Sequence, residues 1–293
     1  MFTAFAALAQ QDAQYTQYMY NTINVNPAYA GSRGVMSIFG LHRTQWVGLD
    51  GAPVTNAASI NTPINNSNLG VGLSFVNDKI GPTNENAISA DVSYTVKTSE
   101  TFKLSFGVKG TANLFNLDVN KLNPQDAGDP QFQNLDADFT PNIGAGLFLF
   151  SDATYVGLSV PNFIITESYD DIEESVIRRK VHYYLQGGYV FDFNENLKFK
   201  PSFLAKVVEG APVTYDVSAN FMFKEKFVLG AGYRFTDAFS ALAGFQIAPS
   251  LFIGYAYDRS VTKLQKYNDG SHEIILKFNL QNRTKIAKSP RFF

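Results

Sequence analysis

The sequence predicts an all-β fold, a transmembrane outer-membrane β-barrel of about fourteen antiparallel strands with an N-terminal arm at its periplasmic end. Three observations carry that expectation. Period-two alternation of apolar and polar residues dominates from Val35 onward. The connections between the alternating runs are short at one end and long at the other. Charged residues make up 17% of the chain, where soluble domains carry about 25%, while 45% is apolar and 14% aromatic, with 26 Phe and 15 Tyr against one Trp.

In chain order, residues 1–9, "MFTAFAALA", read as the remnant of a secretory signal. Ala7-Leu8-Ala9 is an A-x-A cleavage site before Gln10, although no basic segment precedes it. Export follows from that reading. Residues 10–34 form a polar stretch rich in Tyr, Asn and Gln. Asn26-Pro27 breaks any helix there, Gly31 and Gly34 keep the chain loose, and aliphatic residues are too few for a core strand. On its residues alone this stretch is either a structural arm docked on something folded or a recognition element for a partner.

Residues 35–281 are the barrel. "TFKLSFGVKGT" sets Phe102, Leu104, Phe106 and Val108 against Lys103, Ser105, Gly107 and Lys109. "VTYDVSANFMFK" and "HEIILKFNL" repeat the pattern, with Met222 and Ile275 as exceptions. Such runs predict strands near 35–47, 53–64, 69–77, 86–98, 101–117, 139–150, 153–163, 179–193, 197–209, 212–224, 226–236, 238–248, 251–259 and 271–281. Most reach the ~9–11 residues a tilted strand needs to cross a bilayer, and beyond the first ten residues no apolar run approaches the ~20 of a spanning helix. Connections after even-numbered strands are short, Asn194-Glu195-Asn196 and Pro249-Ser250 among them. The long ones, 118–138, 164–178 and 260–270, all follow odd-numbered strands. Long loops mark the extracellular end and short turns the periplasmic one, and an even strand count places both chain termini at the latter.

A soluble sandwich or lipocalin-like barrel would alternate too, but it must cover its exterior with charge, and 17% is too little for fourteen strands. A membrane barrel inverts the arrangement. Asp91, Lys103, Lys109, Asp216 and Arg234 then face the lumen, where opposite charges should pair. Residues 282–293 are a basic tail whose Arg283, Lys285, Lys288 and Arg291 belong on the periplasmic side.

The polar stretch is also specific. Gln17-Tyr18-Met19-Tyr20-Asn21, Asn26-Pro27-Ala28-Tyr29-Ala30-Gly31, Arg43-Thr44-Gln45-Trp46, and Gly51-Ala52-Pro53 with Thr55 resemble the motifs of the PorP/SprF outer-membrane proteins of Bacteroidetes, associated with type IX secretion and gliding motility. The ending "SPRFF" is similar to that family's as well. The resemblance implies a non-enzymatic role: receiving a secreted cargo, often a large adhesin, through its type B C-terminal sorting domain, and holding it at the cell surface. Secretion-system components and outer-membrane lipid are the other implied partners. Tyr18, Asn21, Asn26, Pro27, Tyr29, Gly31, Arg43, Gln45 and Trp46 are then structural residues of arm and rim, with 24–34 packed under or into the periplasmic mouth.

The chain has no Cys, which excludes disulfides and thiolate chemistry, and a net charge of -2 gives no basis for nucleic-acid binding. His42, His182 and His272 all fall toward the long-loop rim, the first and last near one another once the barrel closes, but no G-x-S-x-G or H-E-x-x-H motif accompanies them. The long loops are acidic: Asp118, Asp126, Asp129, Asp136 and Asp138 in one, and Glu167, Asp170, Asp171, Glu173 and Glu174 in another. They read as solvated loops, as a surface that steers a basic partner, or as carboxylate ligands for Ca²⁺. "DAGDP" is too short and irregular for a recognised calcium loop, and no cofactor is expected. A channel for small solutes is the alternative function.

Overall fold

A computed structural model describes residues 14–65, 67–121, 135–164, 167–168, 177–178 and 180–280, with 135–137, 167–168 and 177–178 described by backbone alone. Fourteen staves run in chain order: β1 (Met36–Thr44), β2 (Val54–Pro63), β3 (Leu69–Ile80), β4 (Thr83–Lys97), β5 (Lys103–Leu117), β6 (Leu135–Phe150) and β7 (Thr154–Val160), then β8 (His182–Tyr189, resuming as Phe191–Asn194), β9 (Leu197–Val208), β10 (Thr214–Phe223), β11 (Phe227–Arg234), β12 (Ala238–Ala248), β13 (Leu251–Ser260) and β14 (Ser271–Leu280). Both segments of β8 pair with β9, so they are one stave interrupted at Val190. Every neighbour is antiparallel, and β1 closes on β14 in register from Met36↔Leu280 to Thr44↔His272. Closure removes the sheet edge that hydrocarbon would leave unsatisfied.

Alternation sorts the two faces. Ser37, Ser74, Asp91, Ser105, Lys109, Asn142 and Gln186 are buried inside, whereas Leu73, Val108, Ile143 and Phe239 point outward, Val108 with 60% of its surface exposed. Asp91 faces Lys109 in register and pairs with it at 2.9 Å, and Asp216 faces Arg234 and pairs at 2.6 Å. Lys103 has the same lumenal parity but lies exposed at the short-turn end of β5.

Boundaries differ from the sequence reading where polar residues carry a strand. β3 and β4 continue through Asn77–Ile80 and Thr83–Asn86 to a turn at Gly81-Pro82, because outward asparagines satisfy one another: Asn77 Nδ2 donates to Asn84 Oδ1 at 2.8 Å and to Asn86 Oδ1 at 2.9 Å. β6 begins at Leu135, so Asp136 and Asp138, expected in the loop, belong to a strand. Glu167 lies in a two-residue ladder, Glu167–Ser168 against Ile177–Arg178.

At Ala30 and Gly31 the arm lies in the short-turn mouth, as expected of residues 24–34, and the difference is how far it continues. β1 begins at the short-turn end, as an even count requires, but the residues before it do not stay there. They turn into the lumen and rise through it, so that Tyr15 and Thr16 lie beside Arg43, Arg234, Asp258 and Glu273 near the long-loop ends of their strands. Strand parity fixes where β1 starts and says nothing of the path before it.

Candidate functional site

The arm, residues 14–35, is the centre of the molecule. It makes a 3₁₀ turn at Tyr18–Tyr20, one helical turn at Thr22–Val25 and a second 3₁₀ turn at Pro27–Tyr29. Asn26 adopts the extended conformation that a following proline favours, with φ -135 and ψ 110, and its Oδ1 accepts from Ala28 N–H at 3.0 Å, capping the last turn. Gly31 reverses the chain at φ +69, and a Cβ there would lie 2.8 Å from Gly70 Cα, so only glycine fits.

Such short turns leave backbone carbonyls without helical partners, and inside a barrel water cannot serve them all. The wall supplies donors instead. Ser93 Oγ donates to Ala30 O at 2.7 Å, Ser159 Oγ to Val25 O at 2.9 Å, Lys109 Nζ to Ile23 O at 3.4 Å and Arg234 Nη2 to Tyr15 O at 3.3 Å. In return Asn26 Nδ2 donates to the wall carbonyl of Leu147 at 2.9 Å. Gly107 and Gly146 let the arm approach this closely: a Cβ on the first would collide with the Pro27–Ala28 backbone, and one on the second with the Asn26 amide.

Two clusters anchor the arm at different heights. Toward the short turns, Tyr29 meets Phe148 edge-on at 5.5 Å, and Tyr20 packs on Phe252 at 5.2 Å with Lys200 Nζ 5.0 Å and Lys277 Nζ 5.9 Å from its ring. Toward the long loops, Glu273 accepts from the Thr16 and Gln17 amides, both at 2.8 Å. Arg43 bridges Asp258 at 2.8 Å and Glu273 at 3.2 Å, and donates to Thr16 Oγ1 at 2.6 Å, which in turn donates to Asp258 at 2.5 Å. Fully buried charges persist only when paired in this way.

The structure therefore brings together most of the predicted motif residues. Tyr18 (hydroxyl 3.3 Å from Ser218 Oγ), Asn21 (accepting from Asn24 at 2.8 Å), Asn26, Pro27, Tyr29, Gly31 and Arg43 all meet in the lumen. Gln45 and Trp46 lie apart, at the rim. Gln45 N–H donates to Pro53 O at 2.9 Å, and Trp46, at φ 48, donates its N–H to Ser271 Oγ at 3.1 Å. Val47 and Asp269 tie that loop to the β13–β14 loop. Among the acids, Asp126, Asp129, Asp170, Asp171, Glu173 and Glu174 lie outside the described residues. Asp118 pairs with Lys121 at 2.9 Å, which holds its carboxyl below the ordinary carboxylate range. His42 and His272 point outward on adjacent strands, bonded to Asn56 at 2.8 Å and to the Tyr255 hydroxyl at 2.6 Å, while His182 is buried in the lumen.

Thr16, Asp258 and Glu273 were missed by sequence reasoning, and Gln17 was singled out only as part of the motif. The β1–β14 closure could have found Glu273, which is the register partner of Arg43. Nothing in the sequence singles out Thr16.

A closed antiparallel barrel, apolar outside and polar inside, with its lumen occupied by its own N-terminal arm, is an outer-membrane barrel of the plugged kind. By sequence the chain belongs to the type IX secretion system membrane protein PorP/SprF family, which matches residues 7–278. No curated protein matches it. Among solved structures the barrel is similar to the monoaromatic hydrocarbon channel CymD, at 11% identity over 92% of this chain and 94% of that one with a TM-score of 0.50. It is also similar to Omp33 of Acinetobacter baumannii, at 9% identity over 84% and 98% with a TM-score of 0.49. At these identities the likeness is one of fold.

Proposed function

We propose that this barrel is a binding protein of the outer membrane, not a conduit or a catalyst: it holds a type IX secreted cargo, an adhesin-like protein bearing a type B C-terminal sorting domain, at the cell surface. The observation that supports this reading is the arm. A segment hydrogen-bonded to the wall at the level of Ala30, Val25, Ile23 and Thr16 obstructs diffusion along the lumen. With the arm lying along the lumen, the long-loop end is the surface left for an external partner. The acidic loops there would attract a basic one in a salt-sensitive way.

The experiment is retention of cargo by cells. Deleting residues 167–176 should leave the barrel assembled and release the cargo into the medium, and neutralising the acids alone should weaken retention less, most visibly at low salt. A purified wild-type barrel that conducts steadily in planar bilayers and retains no secreted protein would instead support transport of small solutes.

A further inference from the structure

Several staves end toward the long loops in an outward aromatic ring, Phe139 on β6, Tyr215 on β10 and Phe239 on β12, the kind of side chain that suits a barrel's membrane interface. The β3–β4 hairpin ends differently. Toward the long loops its outward positions read Leu73, Phe75, Asn77 and Lys79 on β3, and Val92, Ala90, Ile88, Asn86 and Asn84 on β4. The register sets Phe75 opposite Ile88, then Asn77 opposite Asn86, then Lys79 opposite Asn84. Apolar surface therefore stops at one level on both strands, and amides and an ammonium follow at once.

That level is where lipid headgroups lie. One outward step is two residues, and in a strand tilted by about 35–45° it rises about 5 Å along the membrane normal. Asn77 and Asn86 then stand about 5 Å, and Lys79 and Asn84 about 10 Å, beyond the last apolar pair. The lysine stem can carry its ammonium back toward the hydrocarbon edge, and the headgroup layer on each side is about 5–7 Å deep.

The donors are held in place. Asn77 Nδ2 donates to Oδ1 of both Asn84 and Asn86, at 2.8 and 2.9 Å, so each of those amides has its oxygen engaged. Gly81 N–H, at the hairpin tip, donates to Gly51 O at 2.8 Å. Among the described residues, neither the Asn84 nor the Asn86 Nδ2 has a protein acceptor, and Lys79, which is exposed, has no carboxylate partner. Asp78 and Glu85 on the same strands face the lumen, and Asp118, whose N–H donates to Pro82 O at 3.0 Å, is paired with Lys121.

One ammonium and two carboxamide N–H₂ groups call for an anion with several oxygens, and fixing them beforehand lowers the entropy lost when it binds. Phe75 and Ile88, 41% and 53% exposed directly beneath, offer acyl chains a surface that a free anion would not use. We infer that the outward end of the β3–β4 hairpin is a lipid site: it holds a phosphate of an outer-leaflet headgroup, with Lys79 supplying charge and Asn84 and Asn86 the hydrogen bonds. The outer leaflet follows from the long loops being extracellular. The site is independent of the anchoring reading, because it faces the membrane and not the cargo.

The purified barrel in detergent tests it, titrated in turn with phosphorylated lipid A, with dephosphorylated lipid A and with inorganic phosphate, the bound copies being counted by native mass spectrometry. Phosphorylated lipid A should bind as a single copy, the dephosphorylated form roughly tenfold more weakly, and inorganic phosphate at the same concentration should not displace it. Lys79→Gln should weaken binding roughly tenfold, whereas Lys263→Gln, which removes an exposed charge from the β13–β14 loop, should not. Asn86→Ala leaves the charge in place and should weaken binding several-fold; it carries the test if Lys79→Gln loses the heat-modifiable gel mobility of a folded barrel. In cells, a photo-crosslinking amino acid at Ile88 should capture lipid. Equal binding of the two lipid A forms, equal losses from Lys79→Gln and Lys263→Gln, or displacement by inorganic phosphate would each overturn the site. Capture of a protein at Ile88 would overturn it too, giving this sector to a neighbouring polypeptide.

Discussion

Arg43 Nη1 donates to Thr16 Oγ1 at 2.6 Å, so the first strand of the barrel grips the arm that precedes it. The two residues are separated by a chain excursion down through the lumen and back. The same guanidinium reaches Asp258 and Glu273, and Glu273 accepts both the Thr16 and Gln17 amides. Arm and wall thus share one set of buried charges.

Arg43→Ala leaves Asp258 and Glu273 buried without their cation, and breaking a buried pair in this way costs about 3–5 kcal/mol. Thr16→Val removes only a hydroxyl from the network and should cost about 1–3 kcal/mol. Both shifts are read as the denaturant midpoint of the barrel in detergent. Equal, small effects would mean that the network does not hold the arm.

Removing residues 14–30 should convert a closed barrel into an open one. In planar bilayers the intact protein is expected to be silent and the deletion to conduct. A conducting intact protein would show that the arm leaves a continuous path.

Gly107 and Gly110 lie on β5 with opposite surroundings. A Cβ at 107 collides with the arm, whereas one at 110 meets nothing within 4 Å. Gly107→Ala should therefore loosen the arm at a cost of roughly 1–3 kcal/mol, measured as faster protease cleavage near Tyr20, and Gly110→Ala should behave as wild type.

Val108 and Lys109 are adjacent and face opposite ways. Val108→Arg would set a charge against lipid near the middle of β5 and cost roughly 2–4 kcal/mol, whereas Lys109→Arg, which keeps a cation beside Asp91 on the lumen side, should insert normally. The yield of folded barrel in the membrane distinguishes them. The reverse order would invert the assignment of faces.

Cysteines at Asp129 and Asp171 should react with a membrane-impermeant maleimide on intact cells, and one at Asn66, which falls between β2 and β3 in the chain, should not. Labelling at Asn66 alone would turn the barrel over in the membrane.

The staves were legible because alternation is dictated by a wall with lipid on one side and polar contents on the other. It failed where that contrast lapses. Between Asn77 and Asn86 the outward positions are amides bonded to each other, so a continuous hairpin looks like a loop. In the loop after β5, Asp136 and Asp138 look like more of an acidic loop although β6 has begun. The arm was legible as a motif and as something that docks, since Asn26-Pro27 and Gly31 exclude a continuous helix. Its path was not, because that depends on which wall hydroxyls and cations meet its free carbonyls, and Ser93, Ser159 and Arg234 carry no mark of that duty in the sequence.

The arm's grip spans the seam where β1 meets β14, with Arg43 on one side of it, Glu273 on the other, and Asp258 one strand beyond. This bears on the order of assembly. A finished tube would have to be threaded by a segment carrying Met19, Tyr20 and Tyr29, past a wall that leaves no room beside Gly107 or Gly146. A route that avoids this threading has the arm in place before the last strand zips to the first. Because the arm is joined directly to the first strand, it can act as the mandrel around which the sheet curls, and Thr16 and Gln17 then offer the closing edge a fixed point against which to find its register.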